Sequence, residues 1–448
     1  MVIQRTEVIS RAFLRFLRTE SAGGVVMLAS AALALLVANS PLSADYAYLW
    51  HTYAGFSLGE WSLKLSLLHW VNDGLMAIFF FLVGLEIKRE ILFGELASFR
   101  RAALPVVAAF GGAVVPALVF VSLNAGGANL RGWGIPMATD IAFAVTILAL
   151  LGSRAPLWLK TFVTALAIAD DILAVLVIAV FYSGSLDTYA LAWALAMLLI
   201  LVSLNRLGVQ NPGVYAIPIL LLWYAVLQSG VHATIAGVAA AALIPVSRRR
   251  DTVVSDVEFS TSVEMQLQGL ATSHDGEPWE ATDAREEALA EIAEEASSSS
   301  APLYRMEHAI HPWVSFLVLP IFAFANAGIE MPGLDQGGAI THPLTLGIIL
   351  GLFIGKQVGI TGATWLAVKL RLGSLAEGAR WRQLWGGSLL AGIGFTMSIF
   401  IASLAFEDQA TLDMAKLGVV LGSLLSAAAG ILVLRAAGPV VDPLESED

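Results

Sequence analysis

GWGIPMATDIAFAVTILALLGSRAPLWLKTFVTALAIADDILAVLVIAVFYS, spanning Gly132–Ser183, holds two long apolar segments, each with acidic residues near its middle. The first carries Asp140 directly after Thr139, and the second carries Asp170 and Asp171 side by side. The nearest basic residue before that pair is Lys160, almost three helical turns away, so no close neighbour along the chain neutralises it. A bare carboxylate at bilayer depth costs at least ~2.5–3.5 kcal/mol on insertion scales, and such residues line ion or proton paths. Three acids on two consecutive spans are poorly explained by packing. They point to a cation site.

The rest of the composition agrees with a membrane setting. The chain has 448 residues, of which 57% are hydrophobic and 14% charged, with a mean hydropathy of +0.77. Apolar runs long enough to cross a bilayer recur throughout, which excludes a soluble globular fold and gives an all-α polytopic membrane protein. Cysteine is absent, so disulfides, thiolate metal sites and cysteine nucleophiles are excluded. The net charge of −11 is local in origin: residues 251–300 hold thirteen acids against Arg285 alone. The membrane body is close to neutral, and nothing in it calls for a nucleic-acid partner or a cofactor.

Residues 1–20 mix Arg5, Arg11, Arg15 and Arg18 with Ile9, Phe13, Leu14 and Leu17, the pattern of an amphipathic helix lying on the cytoplasmic surface. Hydropathy then predicts twelve spans: 22–40, 66–87, 102–124, 133–152, 157–182, 188–205, 213–229, 231–246, 312–329, 344–368, 384–406 and 413–436. With the N-terminus inside, 21 of the 25 Lys and Arg residues fall on cytoplasmic segments or adjoining helix ends, which places both termini in the cytoplasm. The expected division is therefore a surface helix at 1–20, spans one to eight within 21–246, and an acidic cytoplasmic insertion at 247–306. Spans nine to twelve fill 307–436, and a tail covers 437–448.

Two spans are interrupted. The fourth has Gly132, Gly134 and Pro136 before Thr139 and Asp140, and the eleventh, GGSLLAGIGFTMSIF, has Gly386, Gly387, Gly392 and Gly394 before Thr396. Singly, such glycines suit close packing. Together they occupy equivalent places in spans 3–5 and 10–12, and matching interruptions mark transporter sites built from half-helices. A helix broken in mid-membrane exposes N–H groups at one end and C=O groups at the other. Asp140 is the acid expected to offset the former. Lys356, in LGLFIGKQVGI, is the basic residue expected to offset the latter, and it lies too deep to snorkel.

On a helix Asp170 and Asp171 point about 100° apart, so both can border one cavity without sharing a lone-pair direction. Two nearby carboxylates in a low dielectric resist joint ionisation. Protons or a small hard cation relieve that repulsion, and Thr139 with unwound carbonyls adds oxygen ligands suited to Na⁺ or Li⁺. One set of oxygens cannot hold both occupants, so competition with alternating access yields exchange. An intramembrane aspartyl protease also needs two membrane acids. It would place them on separate helices in a GxGD context and would have no evident use for Lys356. A channel or a solute symporter is the closer rival.

ATDIAFAVTILALLG, ALAIADDILAVLVIAVFYSG, SGVHATIAG, HPWVSFLVLPIFAFANAG and GIGFTMSIF closely resemble the NhaA-type sodium/proton antiporters of bacterial inner membranes. The resemblance implies two inverted-topology repeats, helices 3–5 and 10–12, with helices 4 and 11 broken and crossing. It implies that Asp170 and Asp171 bind Na⁺ and carry protons beside Thr139. Asp140 and Lys356 would compensate the broken ends, and Lys356 would pair with Asp170 when sodium is absent. It further implies electrogenic export of Na⁺ and Li⁺ against inward H⁺, for sodium and pH homeostasis. Activation by alkaline pH would run through Glu86, Lys88, Arg89 and Glu90 together with Glu307, His308 and His311. A homodimer is implied as well, joined through Ala44–Lys64 outside the membrane.

Overall fold

Backbone groups in hydrocarbon have no water to bond, so an apolar chain of this kind satisfies them within helices. The computed structural model describes residues 20–58, 61–246, 301–329, 338–376 and 378–437. The surface helix expected over 1–20 lies almost wholly outside the described residues, as do 247–300 of the acidic insertion and 438–448 of the tail. The helices run in order as α1 Glu20–Ala38, α2 Ser43–His51, α3 Met76–Phe93, α4 Phe99–Asn124, α5 Ile141–Leu150, α6 Leu157–Phe181, α7 Thr188–Arg206 and α8 Pro212–Gln228. They continue as α9 Thr234–Leu243, α10 Pro302–Trp313, α11 Leu319–Asn326, α12 Pro343–Leu350, α13 Lys356–Lys369, α14 Trp381–Leu390, α15 Phe395–Ala405 and α16 Gln409–Ala436. Among the described residues, seven helices are long and apolar enough to cross a membrane, or up to nine if each of two bent pairs is one span. The chain is a predominantly helical, multi-pass membrane protein.

The all-α expectation needs one correction. Tyr53–Leu58 (β1) and Trp61–Ser66 (β2) form an antiparallel pair, with Tyr53 opposite Ser66 and Leu58 opposite Trp61. The alternation of Trp61, Leu63 and Leu65 with Ser62, Lys64 and Ser66 is a strand pattern. A hydropathy window long enough to detect a span averages over so short an alternation. Helix α2 turns away from α1 by 114°, so this unit leaves the direction of the first span. The ninth span also starts earlier than hydropathy suggests. Its helix begins at Pro302, because Leu303 and Met306 are buried although the surrounding residues are polar.

The predicted breaks are present. In the fourth span, Ala128–Met137 is a 3₁₀ helix, Ala138 to Asp140 is extended, and α5 follows. Glycine and proline disfavour α geometry there, and Pro136 lacks the N–H that an α ladder needs. In the eleventh span α14 and α15 meet at 45° across residues 391–394. Three further spans contain π-helical turns, at Trp70–Leu75, Val314–Val318 and Gly351–Gly355, the last directly before Lys356. No hydropathy window senses such a turn, since it changes helical phase and leaves composition alone.

The packing among the described residues has three parts, the smallest joining Ala108 and Ala109 of α4 with Leu166 and Ala169 of α6 and Ile360 of α13. One apolar cluster gathers around the breaks, with Phe400 of α15 against Phe80 of α3 and Phe322 of α11. Another joins α3 with α7, α8, α9 and α10. Helix α4 packs along α13 so closely that a Cβ on Gly111 would collide with the Gly359 carbonyl, and one on Gly359 with the Gly111 carbonyl. Backbone contact of this kind is what small residues permit in membranes. Gly111→Val should therefore lower stability by about 1–3 kcal/mol, the usual cost of overpacking. Gly362→Ala, on α13 but facing open space, should not lower the unfolding midpoint in detergent. Equal midpoints for the two variants would contradict this packing.

Candidate ion-binding site

The site forms where the two broken spans lie against each other. The Asp140 backbone N–H donates to the Ile393 carbonyl at 2.6 Å, joining one break to the other. The Asp140 side chain is the N-cap of α5 and accepts from the Phe143 N–H at 3.2 Å. Its other oxygen accepts from the Thr396 N–H at 2.9 Å and from the Thr396 hydroxyl. Thr396 lies in the first turn of α15. One carboxylate thus answers the positive ends of two half-helices, as its charge suits it to do. Ser423 of α16 accepts the Gly394 N–H at 3.2 Å, and the Ser398 hydroxyl donates to the Ile135 carbonyl at 2.7 Å.

The carbonyl end of α14 is met differently. The Thr139 hydroxyl donates to the Ala391 carbonyl at 2.9 Å and accepts from the Lys356 ammonium at 2.8 Å. The ammonium also donates to Asp170 Oδ2 at 2.9 Å, and the Thr139 backbone N–H donates to the same oxygen at 2.7 Å. Lys356 therefore reaches the negative helix end through Thr139, and its direct partner is Asp170. Asp170 Oδ1 is buried without a hydrogen-bond partner among the described residues. Asp171 is buried on the same helix and lies within electrostatic reach of Asp170, Glu86, Asp140 and Lys356. Thr139, Asp140, Asp170, Asp171 and Lys356 are thus brought together from α6, α13 and the fourth-span break.

The seven residues expected to sense pH are only partly assembled. The Arg89 guanidinium donates to Glu307 Oε1 at 2.5 Å and lies 3.5 Å from Glu90, while Glu307 Oε2 is buried and unpartnered. Glu86 lies within electrostatic reach of Glu307, Arg89 and Glu90. Glu90 also accepts the Glu95 N–H at 3.0 Å, closing the turn after α3. Lys88 turns elsewhere, donating to the Ala242 and Ile244 carbonyls at the end of α9. Among the described residues His308 bonds only the Tyr304 carbonyl of its own helix, and both His308 and His311 are exposed.

Thr396 was missed as a site residue. A threonine just after the last glycine of GIGFT is where a half-helix N-terminus would put a donor, so the signal was present. Ser423 had no comparable signal, because it comes from another span. The ion pair yields a stability test. Lys356→Ala strands the Asp170 charge in the interior, which should cost about 3–5 kcal/mol. Adding Asp170→Asn should recover much of that loss in detergent unfolding, and a single variant as stable as the parent would show that the two groups do not hold each other.

A family model described as Na⁺/H⁺ antiporter 1 matches residues 14–434. The Na⁺/H⁺ antiporter NhaA of Bordetella parapertussis is 49% identical over 425 residues, which cover 95% of this chain and 96% of the relative. That of Rhodospirillum rubrum is 48% identical over 431 residues, covering 95% and 97%. NhaA 1 of Clostridium beijerinckii is 43% identical over 427 residues, covering 95% and 96%. Proteins so named are secondary transporters and not enzymes. Identity at this level across nearly the whole chain, over a helical membrane fold with two broken spans, shows that the protein belongs to the Na⁺/H⁺ antiporter 1 family.

Proposed function

We propose that the protein is an electrogenic antiporter of a bacterial inner membrane, exporting Na⁺, and Li⁺ by the same chemistry, against inward H⁺. The observation that carries this reading is the half-satisfied Asp170 carboxylate. One oxygen is held by Lys356 and Thr139, and the other is buried without a partner beside Asp171. A sodium ion taking oxygens from both carboxylates displaces the Lys356 ammonium, and Thr139 with the carbonyls at the breaks can complete its shell. Protons arriving on the two acids discharge it. Two acids serve one monovalent cation, so more protons can enter than sodium ions leave. Each uncompensated charge then draws ~2.3 kcal/mol per 100 mV from the membrane potential.

The architecture proposed is twelve spans with both termini cytoplasmic and inverted repeats over spans 3–5 and 10–12. The seven long helices and two bent pairs, taken with α3, α8 and α9, supply enough segments, and the Lys and Arg bias supplies the orientation. The hairpin of β1 and β2 carries exposed Tyr53 and Phe56, which suits it to join two copies outside the membrane. We assign the pH response to Glu86, Arg89, Glu90 and Glu307, whose charges reach Asp171 through Glu86. His308 and His311 take a lesser part because they are exposed and, among the described residues, bond none of its members.

Everted vesicles acidified by respiration test the exchange. Sodium addition should dissipate ΔpH in the parent, and Asp171→Asn should abolish that response to the level of vesicles lacking the protein. A channel or a sodium–solute symporter would give no sodium-dependent collapse, and retained exchange in Asp171→Asn would remove that residue from the mechanism. Glu307→Gln should move the activity profile about one pH unit toward acid, since one fewer negative charge lets neighbouring acids ionise at lower pH. His308→Ala should leave the midpoint nearly in place.

A further inference from the structure

Away from the carboxylates, a cavity of about 770 Å³ opens where α4 and α6 begin and α13 ends. Arg100, Arg101 and Arg371 line it together with Phe99 and Trp158, and Glu95 is the single acid among its described lining residues. Arg100 and Arg101 occupy the first turn of α4, which contains no acidic residue. Cations there oppose the positive end of the helix, and an anion would reverse the sign of that interaction. No ion pair to any of the three guanidinium groups occurs among the described residues.

Arg371 adds an independent observation. It is the only described non-glycine residue with positive φ, at 59°. It closes α13 in the left-handed cap, with the Arg371 N–H donating to Val368 and the Leu372 N–H donating to Ala367, both at 3.0 Å. Glycine normally fills this position, and a side chain there is strained. The guanidinium is kept at the cavity despite that strain.

We infer that this cavity binds the phosphate of an anionic phospholipid headgroup. Arginine matches phosphate in charge and in fork geometry, and basic pockets between membrane helices take anionic headgroups. The surface leading away from the cavity favours a lipid over a free anion. Exposed Phe99, Val106, Phe110, Val114 and Leu118 follow one face of α4. Phe99 to Phe110 span about 16 Å at 1.5 Å per residue, close to the depth of one leaflet of a ~30 Å hydrocarbon core. An acyl chain attached to a headgroup in the cavity would lie along that part of the stripe. The inference does not rest on the exchange chemistry, since none of the site's carboxylates lines the cavity.

The test uses the full-length protein purified in neutral detergent. Phosphatidylglycerol, phosphatidylcholine and inorganic phosphate are titrated separately, reading the thermal midpoint and the lipid retained in native mass spectra. Phosphatidylglycerol alone should raise the midpoint. Combining Arg100→Gln, Arg101→Gln and Arg371→Gly should weaken that response about a hundredfold in lipid concentration, the weight of three interfacial arginines. Arg371→Gly by itself relieves the backbone, so it should fold at least as well as the parent while weakening the response about fivefold. It decides the matter should the triple variant fail to fold. An equal phosphatidylglycerol response in parent and variants, or an equal response to phosphatidylcholine, would overturn the assignment. Inorganic phosphate reproducing the shift at matched concentration would overturn the lipid in favour of a free anion.

Discussion

A helix interrupted inside an apolar bundle leaves N–H groups on one side of the break and carbonyls on the other, and no water is at hand to bond them. This protein does it twice and sets the two breaks against each other. Every polar contact at the site follows from that constraint. Asp140 meets the N–H ends of α5 and α15, and Thr139 meets the carbonyl end of α14. Because the same three-residue extended stretch carries both side chains, the breaks are bonded to each other as well as to their counter-charges. The cost of unwinding is offset, and a cluster of oxygens is left in the interior.

The Lys356–Asp170 pair has to be read in that setting. A buried ion pair is weak evidence for stability, because desolvation offsets much of the attraction. In the proposed exchange its value lies in being replaceable: the ammonium supplies one positive charge against Asp170 and Asp171, and a small cation or protons would supply the same. The pair is positioned by features outside the site: the glycine contact between α4 and α13, and the π turn at Gly351–Gly355 that sets the phase of Lys356. Gly355 also lies directly against Pro116 of α4. A lysine on a regular helix at this depth would leave in another direction, since one inserted residue turns the following side chains by about 100°.

The charged residues at the ends of α3 and α10 show how motif likeness and geometry can part. Lys88 and Arg89 are neighbours in GLEIKRE, yet only Arg89 joins the carboxylate network. Lys88 binds the carbonyl end of α9, a helix-capping job that charge and position suit. The two histidines of MEHAIHPW follow Glu307 in sequence and are both exposed, while Glu307 is buried. His308, one position on, diverges from Glu307 by about 100°, whereas His311, one turn further along nearly the same face, lies where the last residues of the helix are exposed.

Membrane character, both interrupted spans and five of the residues gathered at the site were legible in the amino-acid sequence. The reason is that lipid penalises charge and broken helices heavily, so each exception stands out against an apolar background. Asp140, Asp170, Asp171 and Lys356 are visible for that reason alone. The Lys356–Asp170 pair was legible only through the family resemblance. That the ammonium also meets Thr139, that one Asp140 carboxylate takes both half-helix ends, and that Thr396 and Ser423 complete them depends on contacts between distant spans. The π turns and the small hairpin were hidden too, since phase and strand pairing barely alter hydropathy. Local chemistry identifies the residues that cannot be idle in a membrane, and only packing decides which of them touch.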